Sequence, residues 1–183
     1  MSRKLRVFIS STMSDLANER DAVIQKLSAF NFEPVNAESW AARETRPWDR
    51  IEAEIRSSDL FVLILGDRYG FEPGEGPGAA EGLSATHLEY RAARDAEQMP
   101  ILVFLKWLDA DNTKEDKKRD EFRDEVKSWA RGHLTVKFDL VVFKNSISLI
   151  NYGSVSSLPS DILHTCAQFW THFNLWLLPL LDG

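Results

Sequence analysis

Short apolar runs alternate along this chain with stretches whose apolar residues recur every three or four positions, and the alternation predicts the elements in order. Leu5 to Ser10 is apolar and β-rich and reads as a short buried strand ending in small polar residues. Ser14 or Asp15 then caps a helix expected to reach about Phe30. Its apolar face is Leu16, Val23, Ile24, Leu27 and Phe30, with Glu19, Arg20, Asp21 and Lys26 expected largely off that stripe. Phe32 to Ala37 is a weaker strand, which Pro34 assigns to a sheet edge or a strand beginning. Pro47 suits a first helical turn, and Trp48, Ile51 and Ile55 form the buried stripe that follows, up to Ser57-Ser58.

Leu60 to Leu65 is unbroken Leu-Phe-Val-Leu-Ile-Leu, as a strand covered on both faces requires. Gly66-Asp67-Arg68-Tyr69-Gly70 ends it, and the glycine- and proline-rich segment Pro73 to Gly82 reads as a flexible loop. A helix is expected from Ser84 to about Ala96, and a further buried strand from Pro100 to Lys106. The mixed charges of Asp109 to Asp120 read as a solvated loop entering an exposed helix. Phe122, Val126 and Trp129 give that helix one buried edge, and Gly132 can end it. Strands alternating with helices predict an α/β fold: a Rossmann-like parallel sheet of about five strands with helices on both faces.

The character changes after Phe138, and a boundary is expected there, with an α/β domain over 1–138 and an apolar tail over 139–183. Only Asp139, Lys144, Asp161 and Asp182 are charged in that tail. Leu140-Val141-Val142-Phe143 reads as a strand and Asn151 to Ser160 as a polar turn. Ile162, Cys166, Phe169, Phe173, Trp176 and Leu180 mark a broad apolar helix face. A helix packed on the same domain is the expected arrangement, and an exposed docking or oligomer surface is the alternative. Ile162 to Leu181 has no formal charge, but six polar residues within it argue against a membrane span.

Composition narrows the function. A net charge of −6 weighs against coating nucleic acid, which needs a basic face. Cys166 is the only cysteine, so no intrachain disulfide forms and a reducing, cytoplasmic setting is expected. The short apolar stretch after Lys4 and Arg6 does not read as a secretory signal. His87, His133, His164 and His172 lack metal-ligand spacing, so no metal is expected.

In an open parallel sheet, ligands sit beyond the carboxyl ends of the strands. Three segments are expected to meet there. Ser10-Ser11-Thr12, leading into a helix, offers hydroxyls and backbone N–H groups to a phosphate or ribose. After the most apolar strand, Asp67 can accept from hydroxyls, Arg68 can pair with phosphate and Tyr69 can stack on a ring. Each of these segments can also be a plain turn or cap. Glu89, on the helix opened by Ser84, is a solvated carboxylate unless its helix turns it toward those segments.

Arg6-Val-Phe-Ile-Ser-Ser-Thr-Met-Ser-Asp-Leu and Glu19-Arg-Asp resemble the opening of a bacterial family assigned to the TIR-like (Toll/interleukin-receptor-like) superfamily. Phe32-Glu-Pro-Val, Arg56-Ser-Ser-Asp-Leu-Phe-Val, Gly66-Asp-Arg-Tyr-Gly, Ser84 to Ala92 and Pro100-Ile-Leu-Val-Phe continue the match in order, over roughly 4 to 138. In that family the domain also heads large NTPase-containing proteins. The resemblance implies a flavodoxin-like fold and cleavage of NAD, or a related nucleotide, at its N-glycosidic bond. It implies a catalytic role for Glu89, with Ser84 leading its helix, and a pocket lined by Phe8, Ser10 and Ser11. In such chemistry Ser10, Ser11 and Arg68 would position the ribose and phosphates, Trp40 or Tyr69 would stack on a ring, Asp67 remains a candidate acceptor for hydroxyls, and no cofactor would be required. Thr86-His87 stands where such enzymes commonly carry an aromatic-cysteine pair.

Two readings follow. The first is a nucleotide N-glycosidase acting through Glu89 in stress or antiviral defence, forming a homo-oligomer on activation and working with an NTPase-type partner protein. The alternative is a non-catalytic TIR-like signalling and oligomerisation module. Nucleotide sensing without cleavage is a third and weaker option.

Overall fold

The computed structural model describes residues 3–29, 31–36, 48–96, 99–108 and 116–128, and the backbone of 134–138. The chain divides into two compact units, Met1–Lys137 and Phe138–Gly183. The strand expected at Leu140–Phe143 and the apolar helix face beyond it lie outside the described residues.

The elements run β1 (Arg6–Ser11), α1 (Ala17–Ala29), β2 (Glu33–Asn36), α2 (Trp48–Arg56), β3 (Leu60–Leu65), α3 (Ala85–Asp95), β4 (Ile101–Lys106), α4 (Lys117–Ser128) and β5 (Leu134–Phe138). They build one five-stranded sheet in the order β2-β1-β3-β4-β5. The pairs β1/β2, β1/β3 and β3/β4 are parallel, with Phe8 opposite Val35, Phe8 opposite Phe61, and Leu63 opposite Val103. This is the flavodoxin-like, doubly wound order.

The two central strands explain the burial pattern. All six residues of β3 are buried, because both faces of that strand are covered. Phe8, Val35, Phe61, Leu63, Leu65, Val103 and Leu105 share one core cluster with Ile55 of α2, Tyr90 and Ala93 of α3, and Phe122 and Val126 of α4. Strand alternation sends Val7, Ile9, Val62, Ile64, Leu102 and Phe104 to the opposite face. Val23 and Leu27 of α1 are buried outside the first cluster.

Local chemistry sets the ends. Asn31 takes the left-handed conformation at φ 65°, with Phe32 N–H donating to Leu27 O (3.0 Å) and Asn31 N–H to Ser28 O (3.0 Å). That pair of bonds is a Schellman stop, which turns α1 directly into β2. Pro34 sits on β2, an edge strand, where a missing N–H is tolerated.

Two sequence expectations are corrected here. Glu19 and Arg20 are not on the polar face of α1 but buried, at 2% and 3% exposure. Glu19 is held by Lys106 Nζ at 3.4 Å, and Arg20 spends its guanidinium on the preceding loop. The fifth strand is Leu134–Phe138, a stretch to which the sequence reading assigned no strand.

Candidate active site

The order β2-β1-β3 puts the topological switch point between β1 and β3, and loops leaving their carboxyl ends splay apart there. A cleft of about 390 Å³ occupies this position, within the ~300–1,000 Å³ usual for small-molecule sites. The end of β1 supplies Ser11 and the loop after it Thr12, Met13 and Ser14; α1 supplies Arg20; the loop after β3 supplies Arg68, Gly70 and Phe71; and α3 supplies Ala85, Thr86 and Glu89. Asn36, at the end of β2, and Ile9 complete the wall.

The last two residues of β1 point to opposite faces, and each serves a different helix. Ser10, on the α3 side and 1% exposed, donates its hydroxyl to Glu89 Oε2 at 2.6 Å. Glu89 is itself buried at 6% exposure, yet it reaches the cleft wall. Ser11 turns the other way and its Oγ accepts from Arg20 Nη1 at 3.0 Å. Arg20 Nη1 also donates to Thr12 O (3.1 Å) and Nη2 to Met13 O (3.4 Å), so one buried guanidinium fixes the course of the β1–α1 loop. Thr12 Oγ1 adds a very short hydrogen bond to Asp15 Oδ1.

The angle at which α3 presents Glu89 is set from behind the cleft. Ser84 caps the helix, its Oγ accepting from His87 N–H at 3.2 Å, and Ala85 N–H donates to Phe71 O at 2.8 Å. His87 lies against the Phe122 ring with centroids 3.9 Å apart. Its Nε2 is 2.9 Å from Glu125 Oε2 and its Nδ1 2.9 Å from the Tyr69 hydroxyl. A carboxylate only accepts, so Nε2 carries the proton and Tyr69 O–H donates to Nδ1. Burial pushes the His87 pKa down, outweighing the upward pull of Glu125, which keeps the ring neutral. Arg91 and Arg94 close the network on Glu125 at 3.3 and 2.9 Å.

The structure thus brings together Glu89, Ser10, Ser11 and Arg68. Four other residues named from sequence stand away from the cleft wall. Phe8 is fully buried and stacks on Phe61, with centroids 5.6 Å apart, because β1 is a central strand. Tyr69 is 7% exposed in the core cluster, its hydroxyl given to His87, which leaves no ring face for a ligand. The Asp67 carboxylate approaches Lys106 Nζ (3.9 Å), while its backbone carbonyl accepts from Arg119. Ser84 is buried as a helix cap. Trp40 lies outside the described residues.

Sequence reasoning missed Arg20, Asn36, Met13 and Phe71. Arg20 was legible in principle: it lies four residues after Leu16 and three before Val23, squarely on the buried stripe. Among the described residues no three His, Cys, Asp or Glu side chains converge as metal ligands, and no helix is long and apolar enough to cross a membrane.

Fold and site together define a doubly wound α/β domain with a carboxylate at its switch-point cleft. Residues 6–143 match the family described as Domain of unknown function (DUF4062), and the chain belongs to that family. It is similar to telomerase protein component 1 of Mus musculus, 34% identical over an alignment of 118 residues that covers 56% of this chain and 4% of that protein. The protein of the same name from Rattus norvegicus is 32% identical over 117 residues, again 56% and 4%. The chain therefore spans only a small part of the curated relatives it matches. Similar solved structures include a CMP N-glycosidase from Clostridium botulinum, with 15% identity and a TM-score of 0.43 over 80% of this chain and 98% of that one. The TIR domains of the activated Roq1 resistosome share 10% identity and a TM-score of 0.48 over 93% and 99%.

Proposed function

We propose that the cleft binds a nucleotide and that Glu89 carries cleavage of its N-glycosidic bond, with NAD or a related nucleotide as substrate. The observation that carries this reading is the buried Glu89 carboxylate, hydrogen-bonded to Ser10 at 2.6 Å and reaching the switch-point cleft. A carboxylate is costly to bury, and one kept at a ligand-binding position is a functional candidate. The ordered sequence blocks that resemble the TIR-like family support the same residue.

The chemistry asks little more of the protein. As the C1′–N bond breaks, its electron pair leaves with the base and positive charge develops on the ribose. Glu89 stabilises that charge or bonds to C1′; water then adds at C1′, in the second case displacing Glu89 as a carboxylate, and loses a proton to solvent. The nicotinamide of NAD carries a positive charge that the departing electron pair neutralises, so no general acid and no cofactor is needed. Ser10 holds the carboxylate, and Ser11 and Arg68 face the ribose hydroxyls and phosphates.

The curated relatives carry the matching stretch within far longer chains, which supports a module that works beside other domains. The family resemblance adds an NTPase-type partner protein to this reading. Homo-oligomerisation on activation, in cytoplasmic stress or antiviral defence, completes this reading. Incubating the purified chain and its Glu89→Gln variant with NAD, and measuring released nicotinamide, tests it. Release by the unaltered chain alone is the expected result. Equal release by both, or none from either at high protein concentration, removes the enzymatic reading.

A further inference from the structure

Three large apolar residues are strongly exposed among the described residues, and two of them, Met13 at 55% and Phe71 at 75%, line the same cleft. Scattered exposed apolar side chains are ordinary, but two flanking one polar cleft are a local feature. Both are anchored through the backbone. Phe71 O accepts from Ala85 N–H at 2.8 Å, and Met13 O accepts from Arg20 Nη2 at 3.4 Å. Gly70, at φ +103°, sets the direction in which the chain delivers Phe71.

We propose that Phe71 and Met13 form a base-stacking rim, so that the ligand class is a phosphorylated nucleoside whose flat base rests at the cleft mouth. The inference rests on the nucleotide reading above and extends it to the part of the ligand that Phe71 recognises. The charged groups lining the cleft are Arg20, Arg68 and Glu89, a net positive set in a chain of net charge −6, which selects an anion. Phe71 is tied to Ala85, one turn before Glu89, and that turn spans about 6 Å. Phe71 and Glu89 line the same cleft, so one ligand can set its base on the rim and its sugar toward the carboxylate. A base held on Phe71 is also next to solvent, the direction in which a leaving base departs. Stacking on an aromatic ring tolerates different bases, so the rim selects for a base without fixing which one.

The test measures binding by calorimetry in the Glu89→Gln background, which removes turnover. Its probes are NAD, nicotinamide mononucleotide and ribose 5-phosphate. Phe71→Ala is expected to weaken the two base-bearing ligands about five- to hundredfold and to leave ribose 5-phosphate unchanged, while Phe71→Trp restores the difference. Phe71 is exposed, so neither change threatens the fold. Unchanged binding of all three ligands, or equal weakening of all three, overturns the stacking rim alone. No binding of any probe overturns the nucleotide site and the rim with it. The expected pattern without nicotinamide release by the unaltered chain supports the rim and removes only the catalytic reading.

Discussion

The Ser10 hydroxyl and the Glu89 carboxylate meet at 2.6 Å across 79 positions of sequence, joining the end of β1 to the second turn of α3. The contact exists because β1 and β3 pair in parallel and α3 crosses back over that face of the sheet.

This pairing makes the first prediction. Glu89→Gln keeps the shape and loses the charge, and nucleotide cleavage should fall by roughly 10²–10³-fold or more. Ser10→Ala removes one hydrogen bond to a charged group, a loss of about 1.5–3 kcal/mol, so turnover should drop about ten- to hundredfold. Steady-state kinetics should place the Ser10 effect mainly in kcat, since the serine orients the carboxylate. A Ser10→Ala enzyme with unchanged kcat removes that role.

Gly70 makes the second. At φ +103° any side chain is strained, and a Cβ there would stand 3.0 Å from Thr12 Cγ2, inside the cleft wall. Gly70→Ala should cost about 1–3 kcal/mol in urea unfolding and weaken nucleotide binding as Thr12 is displaced. Gly74→Ala is the control: it sits in the same connection, its Cβ would meet nothing within 4 Å, and its cost should be near zero. Equal costs at the two positions contradict the argument.

Arg20 makes the third. Its guanidinium serves three oxygens of the β1–α1 loop, a fork that an ammonium cannot reproduce. Arg20→Lys should therefore raise the Kd for nucleotide while leaving the sheet intact, and it should lower stability by about 1–3 kcal/mol. Amide hydrogen exchange should localise faster opening to 11–16. Unchanged exchange in that segment shows that the brace is dispensable.

How much of this was legible in the sequence follows from what each residue touches. Leu60–Leu65 declared itself because a strand covered on both faces needs apolar residues without interruption. β5 did not: Thr135 and Lys137 interrupt its apolar positions, and a short edge strand is fixed by a neighbour that the local pattern does not contain. In the site, the positions of Ser10 and Ser11 at a strand end and of Glu89 near a helix start could be read from the pattern. That Glu89 turns inward onto Ser10 could not, because a carboxylate on a helix is solvated by default and their contact spans 79 positions. Tyr69 was misread because a phenol suits a ligand and a core equally, and only the position of His87 settles which. Arg20 and Glu19 were taken for surface charges, although each is buried, with partners distant in sequence or hidden in the backbone.

His87 makes the last prediction, one of pH dependence. In the unfolded chain its imidazole takes up a proton near the ordinary 6.5, whereas in the fold burial lowers its pKa. The unfolded state therefore binds more protons below that value. The stability owed to neutral His87 is complete above about pH 6.5 and is lost as pH falls toward the lower folded value. Glu125 adds to the same trend further down. Burial pulls it up, but hydrogen bonds from Arg91 and His87 hold it below 4.5, so its contribution is present above 4.5 and lost as pH falls beneath it. His87→Gln can accept from Tyr69 and donate to Glu125 without titrating, at the loss of the ring stacked on Phe122. Urea unfolding of the variant at pH 7.5 should show a deficit of about 0.5–1.5 kcal/mol. That deficit should shrink between pH 6.5 and 5, because the parent loses up to about 1.4 kcal/mol per pH unit from this group and the variant does not. Parallel stability curves for the two proteins across that interval would mean that His87 protonates equally well in the fold, and the buried neutral ring would have to be abandoned.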